Sequence, residues 1–260
     1  MTRQDLMPPE VQALLREDEP QVEAQITEPP DTVFQLSAGY LDLDGGWHTE
    51  FQVRELTGRD EEIIGRVSKI GPMLVEILQR GLVRVGPHDG KDVMDSLLAG
   101  DWETVLLAIR VVTFGAEVDY NPLCGSCNTR FDVTVDLTSD VSYQRMHEPE
   151  DLHFFVEGRH GTQYRVGMPL GSTQRKSMQA LDLSLAEQAS LILADCVERV
   201  DGKPALGKET VLNMPMADRR KILEQITLRR PGPRLQEVTT LCPSCGVENP
   251  LPLNIAALFQ

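Results

Sequence analysis

Two short stretches, "LCGSC" at 123–127 and "LCPSC" at 241–245, constrain the fold of this chain more than any other feature. They are near-identical CxxC pairs placed almost half the chain apart, and Cys196 is the one further cysteine. In a CxxC turn both sulfurs face one point while backbone N–H groups donate to them, which favours the thiolate form. Two such turns supply the four ligands of a closed tetrahedral zinc site. Cys124, Cys127, Cys242 and Cys245 are therefore expected to hold one structural zinc per chain, with no coordination position left for catalysis. Gly246 follows the second pair and accepts the left-handed backbone that ends such a knuckle; Asn128, the next most tolerant type, takes that place in the first. A thiol redox pair would open a helix after a strand, and neither pair is predicted to do so. Cys196, inside "SLILADCVERV", reads as a small core residue. None of His48, His88, His147, His153 and His160 is needed to complete the site, and each is expected on the surface or in a loop.

The two pairs close two similar stretches. "TEFQVRELTG" (49–58) lies on "TQYRVGMPLG" (162–171), matching Thr49 to Thr162, Val53 to Val166 and Gly58 to Gly171. Arg84-Val85 lies on Arg199-Val200, and Asp101, Val105, Leu106 and Ile109 lie on Asp218, Ile222, Leu223 and Ile226. The offset grows slowly and in one direction up to the cysteines, as small loop insertions between duplicated elements would produce.

Local patterning gives both halves one element order. Alternating residues over 33–56 broken at Asp44-Gly45-Gly46 predict a hairpin, and Thr57 with Asp60 predicts a capped helix start. "GPMLVEILQRGLVRVG" reads as a helix with Pro72 in its first turn and Gly86 near its end, and a further helix is expected over 102–112. In the second half a hairpin turns near Gly158–Gly161, Ser184 and Glu187 form a capping box, and "MADRRKILEQITL" is the last helix. The expected architecture is α+β: two pseudo-repeated hairpin, helices and CxxC-knuckle units sharing a split, zinc-ribbon-like site. The boundaries expected are an acidic extended arm (1–32), a first unit (33–140) and a second (141–260).

Composition narrows the function classes. Apolar content of 41% with 25% charged residues suits a globular body, but a net charge of −15 repels phosphate. Nucleic acid and anionic membrane are poor partners for such a surface, "ITLRRPGPR" (226–234) and "STQRK" (172–176) being the nearest basic stretches. There is no apolar run of transmembrane length and no apolar signal-peptide core near the start, so a cytoplasmic, reducing setting is expected. GxSxG, Walker A, GxGxxG and HExxH patterns are all missing, and "DLDGG" and "DGK" lack the ligand spacing of a calcium loop. The acidic residues of "RELTGRDEE" suit the dipole of a first helical turn. No catalytic residues and no small-molecule substrate are expected. A zinc-ribbon module associated with nucleic acid or transcription is the alternative reading of the cysteines.

"FQVRELTGRDEEII" followed by "LLAGDWETVLLAIRVVTFGAEVDYNPLCGSC" and "FDVTVDL" resembles the T-even-phage-type baseplate hub assembly proteins (hub subunits or chaperones) of contractile tails and related injection systems. Arg54, Thr57, Gly58, Asp60 and Glu61 match one motif of that family. Gly100, Asp101, Leu106, Ile109, Arg110, Phe114 and Gly115 match a second, and Cys124 and Cys127 match its knuckle. Asn128 in place of glycine, and a second-half "PLGSTQ" without the acidic residues, depart from the pattern. The resemblance implies a non-enzymatic protein that assembles in the cytoplasm with baseplate hub, spike or tube proteins and is a candidate component of the particle. Candidate partner surfaces are the arm, the turn bearing Arg54, Thr57, Gly58, Asp60 and Glu61, and the terminal Leu258 and Phe259. Those last two residues are equally suited to packing on the protein's own core.

Overall fold

A computed structural model describes residues 32–180 and 183–259 of the chain, so the N-terminal arm, apart from Thr32, lies outside the described residues. Strands β1 (Val33–Leu41) and β2 (Trp47–Val53) form the expected hairpin about Asp42–Gly46, with Gly45 at φ +85°. Helix α1 (Gly58–Ile64) starts in the capping box of Thr57 and Asp60. Helix α2 (Ile70–Gly81) stops earlier than its periodicity suggests, and Leu82–Val85 form strand β3. The reason is tertiary: a Cβ on Gly81 would stand 2.4 Å from Ile109, and the "LVRV" stretch pairs with β2 instead of continuing the helix. After β4 (His88–Asp89) and the short α3 (Gly90–Val93) comes α4 (Ala99–Phe114). From Ala99 to Trp102 and Thr104 to Ile109 its residues are buried all round, which makes α4 the central helix of the body. Strands β5 (Glu117–Tyr120) and β6 (Val133–Asp136) flank the first cysteine pair.

Past β7 (Tyr143–Gln144) the order resumes with β8 (His153–Glu157) and β9 (Gln163–Gly167). Helices α5 (Gly171–Gln179) and α6 (Leu185–Cys196) follow, the latter opened by the reciprocal Ser184–Glu187 cap. Just as α2 runs straight into β3, α6 runs straight into β10 (Val197–Val200), which turns into β11 (Lys203–Pro204). Helices α7 (Lys208–Leu212) and α8 (Met216–Arg229) lead to β12 (Gly232–Pro233). Strands β13 (Thr239–Leu241) and β14 (Glu248–Pro250) flank the second pair. Each half thus carries a four-stranded antiparallel sheet in chain order, β1-β2-β3-β4 and β8-β9-β10-β11.

The described residues pack as one unit. The larger core cluster, around Phe51, Ile77, Leu106 and Ile109, also takes in Leu235, Leu251, Leu253 and Leu258 from the far end of the chain. The smaller one, around Val166, Leu193 and Ile222, takes in Ala38 and Leu98 from the first half and holds Cys196, whose thiol burial pushes up to about 12. Main-chain bonds cross between halves at Gly171 to Leu97 (2.7 Å), Ala99 to Pro169 (2.9 Å) and Met146 to Ser37 (2.8 Å). Among the described residues no helix is long and apolar enough to cross a membrane.

Candidate metal centre

Each cysteine pair occupies the tip of a two-stranded hairpin, β5–β6 or β13–β14. The tips are built alike. In the first, the Cys124 N–H donates to Thr129 O (3.0 Å) and the Asn128 N–H to Cys124 O (3.0 Å). In the second, the Cys242 N–H donates to Val247 O (2.9 Å) and the Gly246 N–H to Cys242 O (2.8 Å). Closing such a turn needs one left-handed residue, and Asn128 (φ +56°) and Gly246 (φ +70°) supply it. The Gly125 N–H donates across to Asn249 Oδ1 at 3.1 Å, so the tips also touch through a polar contact.

The fold brings all four sulfurs within 4.8 Å of one another. Cys124 Sγ lies 3.7 Å from Cys245 Sγ, and Cys127 Sγ lies 3.7 Å from Cys242 Sγ, so sulfurs of the two knuckles are in contact. A disulfide needs about 2.05 Å. Four sulfurs tetrahedrally placed around zinc at about 2.3 Å are about 3.8 Å apart, so the spacing fits a shared ion. Cys124 and Cys242 are buried beside Phe131 and Val133, while Cys127 and Cys245 face solvent.

The electrostatics point the same way. N–H groups of Cys127 and Ser126 pull the Cys124 thiol down to about 6, and the Thr129 hydroxyl lowers that of Cys127. At Cys245 the Val247 N–H also pulls down, but burial and the neighbouring sulfurs of Cys127, Cys124 and Cys242 push the thiol up to about 12. Four thiolates crowded together oppose one another, and a divalent cation between them removes that opposition. All four donors are sulfur and come from two separate turns, so a bound ion would have its coordination shell filled by protein and would serve structure.

The other residues singled out from the sequence sit elsewhere. Asp60 is buried, and its carboxylate accepts two guanidinium bonds from Arg54 (2.8 and 2.9 Å), a third from Arg80 (3.4 Å) and the Thr57 N–H (2.9 Å). The Arg54 guanidinium holds the Asp60 carboxyl well below the usual carboxylate range. This acid is an anchor for Arg54 as well as a helix-dipole partner; Thr57, Gly58 and Glu61 remain exposed around it. Leu258 is buried in the larger core and its carbonyl accepts from Arg110 Nε (2.8 Å), while Phe259 is half-buried against that core. A second constellation, Asp42 with His48 and His88, has no sequence signal, because its residues come from a turn and two separate strands.

A family model described as "T4 bacteriophage base plate protein" matches residues 46–259. No curated protein and no solved structure matches the chain. The match begins inside the first hairpin, after β1, covers the rest of the first sheet, the whole second sheet and both cysteine knuckles, and ends at the terminal turn. The chain therefore belongs to the T4 bacteriophage base plate protein family.

Proposed function

We propose that this protein is a non-enzymatic assembly component of the hub region of a contractile tail or related injection system. In this reading its two halves are clamped by one structural zinc held by Cys124, Cys127, Cys242 and Cys245. The observation that carries the reading is the coincidence of a family match over 46–259 with a four-sulfur cluster drawn from two CxxC turns far apart within that span. A protein that works by contact must present a fixed surface. A thiolate-bound zinc stiffens a body whose knuckles are otherwise small hairpins with little apolar cover.

We further take 33–140 and 141–260 as copies of one ancestral unit, related by descent while packed as one body. Their matching sheet orders and direct helix-to-strand passages at Gly81–Leu82 and Cys196–Val197 support this. So do the buried first-turn carboxylates of Asp101 and Asp218: Asp101 takes three backbone N–H groups from its own hairpin, and Asp218 takes the Arg159 N–H and the Tyr164 hydroxyl from its own. The partner-facing surface is the exposed rim of α1, with Thr57, Gly58 and Glu61 presented around the Arg54–Asp60 anchor and Phe259 on a separate edge.

Co-purification with the hub, spike and tube proteins of the same tail tests the assembly reading. A stable complex with one of them, weakened by Glu61→Arg, is expected. A monomer that binds none of them contradicts it.

A further inference from the structure

At one end of the first sheet two turns meet. The Asp42–Gly46 turn joins β1 to β2, His48 follows at the start of β2, and the Gly86–Pro87 turn delivers His88 at the start of β4. Asp42 is held rigidly: its Oδ1 accepts the N–H groups of Gly46 (2.7 Å) and Asp44 (2.9 Å), which leaves Oδ2 facing out of the turn. Both histidines aim at that one oxygen, His48 Nε2 from 2.7 Å and His88 Nε2 from 3.3 Å. The Tyr40 ring lies against both imidazoles, with centroids 6.3 and 5.5 Å away, and so limits their rotation. Two glycines make the room: a Cβ on Gly46 would stand 2.9 Å from His48 Nε2, and one on Gly86 would stand 2.7 Å from His48 Nδ1. Asp42 is largely covered, with 10% of its side chain exposed, while His48 and His88 keep 23% and 33%.

We propose that Asp42, His48 and His88 form a second divalent transition-metal site, with two imidazole nitrogens and one carboxylate oxygen as ligands. All three donor atoms lie within 4.8 Å of one another. Tetrahedral bonds of about 2.0–2.1 Å want donors about 3.3 Å apart. The His88–Asp42 pair already has that spacing, and the His48–Asp42 pair reaches it by a small side-chain rotation. Imidazole donors select Zn²⁺, Ni²⁺ or Co²⁺ over Mg²⁺ or Ca²⁺. Three protein ligands with partly exposed imidazoles leave a position for water or for a donor from a neighbouring protein, unlike the closed cysteine cluster. The corresponding edge strand of the second sheet, β11, opens with Lys203, so the site belongs to the first half alone.

The test is calorimetric titration of Zn²⁺ into the full chain already carrying one equivalent of zinc. The expected result is a second equivalent with micromolar affinity, weakened more than about tenfold in His48→Gln/His88→Gln and retained in Cys242→Ser. The unmutated protein gives an independent readout: zinc should shift the imidazole nitrogen resonances of His48 and His88 and leave those of His153 and His160 in place. No second equivalent in the unmutated protein, or an equal one in the double variant, overturns the proposal; so do unmoved His48 and His88 resonances.

Discussion

The Asp101 carboxylate, in the first turn of α4, accepts the Ser37 main-chain N–H at 2.7 Å. It takes the N–H groups of Ala38 (3.0 Å) and Gly39 (3.2 Å) as well. Between Gln35 and Tyr40 the pairing of β1 with β2 is interrupted. Asp101 satisfies the backbone donors in that interruption, and the central helix is thereby bonded to the hairpin.

Burial pushes Asp101 up to about 6 against the pull of the three N–H donors. A folded pKa above the unfolded value of about 3.9 means that the native state holds the extra proton between the two. The contribution of this group is therefore complete below about pH 4 and declines as pH rises through about 6. Asp101→Asn loses an acceptor and is expected to cost about 1–3 kcal/mol. Urea denaturation from pH 4 to 7 should show the wild type's advantage shrinking with pH. An advantage that widens would contradict the assignment.

Asp60 has the opposite sign. Its carboxyl is held low by Arg54, so its contribution is present above the ordinary carboxylate range and fades as pH falls through the depressed value. Because Arg54 is partly exposed, Asp60→Asn is expected to cost about 1–3 kcal/mol at neutral pH. Arg54→Lys should recover only part of the loss from Arg54→Ala, since the two-pronged contact needs a guanidinium. Equal melting temperatures for Arg54→Lys and the wild type would argue against that contact.

Leu258 is buried and held in place by Arg110, whereas Leu185 is 85% exposed. Leu258→Ala should therefore cost about 2–5 kcal/mol, and Leu185→Ala should stay within about 0.5 kcal/mol. Denaturant midpoints decide. A neutral Leu258→Ala would remove the terminal turn from the core.

Much of this was legible where signals are local. The hairpin turn at Gly45, the capping boxes at Thr57 and Ser184, and the left-handed Asn128 and Gly246 are all set by neighbouring residues. Residues 82–85 carry a helical pattern because "LVRV" continues an apolar run, and only pairing with β2 makes them a strand. Asp60 carries the first-turn signature of a dipole partner, and its Arg54 clamp depends on how the chain enters α1. The four cysteines could be grouped because two CxxC turns leave few other ways to complete a metal shell. Asp42, His48 and His88 have no such spacing, since the sheet alone brings them together.

The central claim is that the two knuckles share one ion. X-ray absorption at the zinc edge, on protein carrying a single equivalent of zinc, tests it most directly. Four sulfurs at about 2.3 Å, replaced by a mixed shell or lost in Cys242→Ser, is the predicted result. A first shell containing nitrogen or oxygen in the unmutated protein, or an unchanged one in Cys242→Ser, would contradict it.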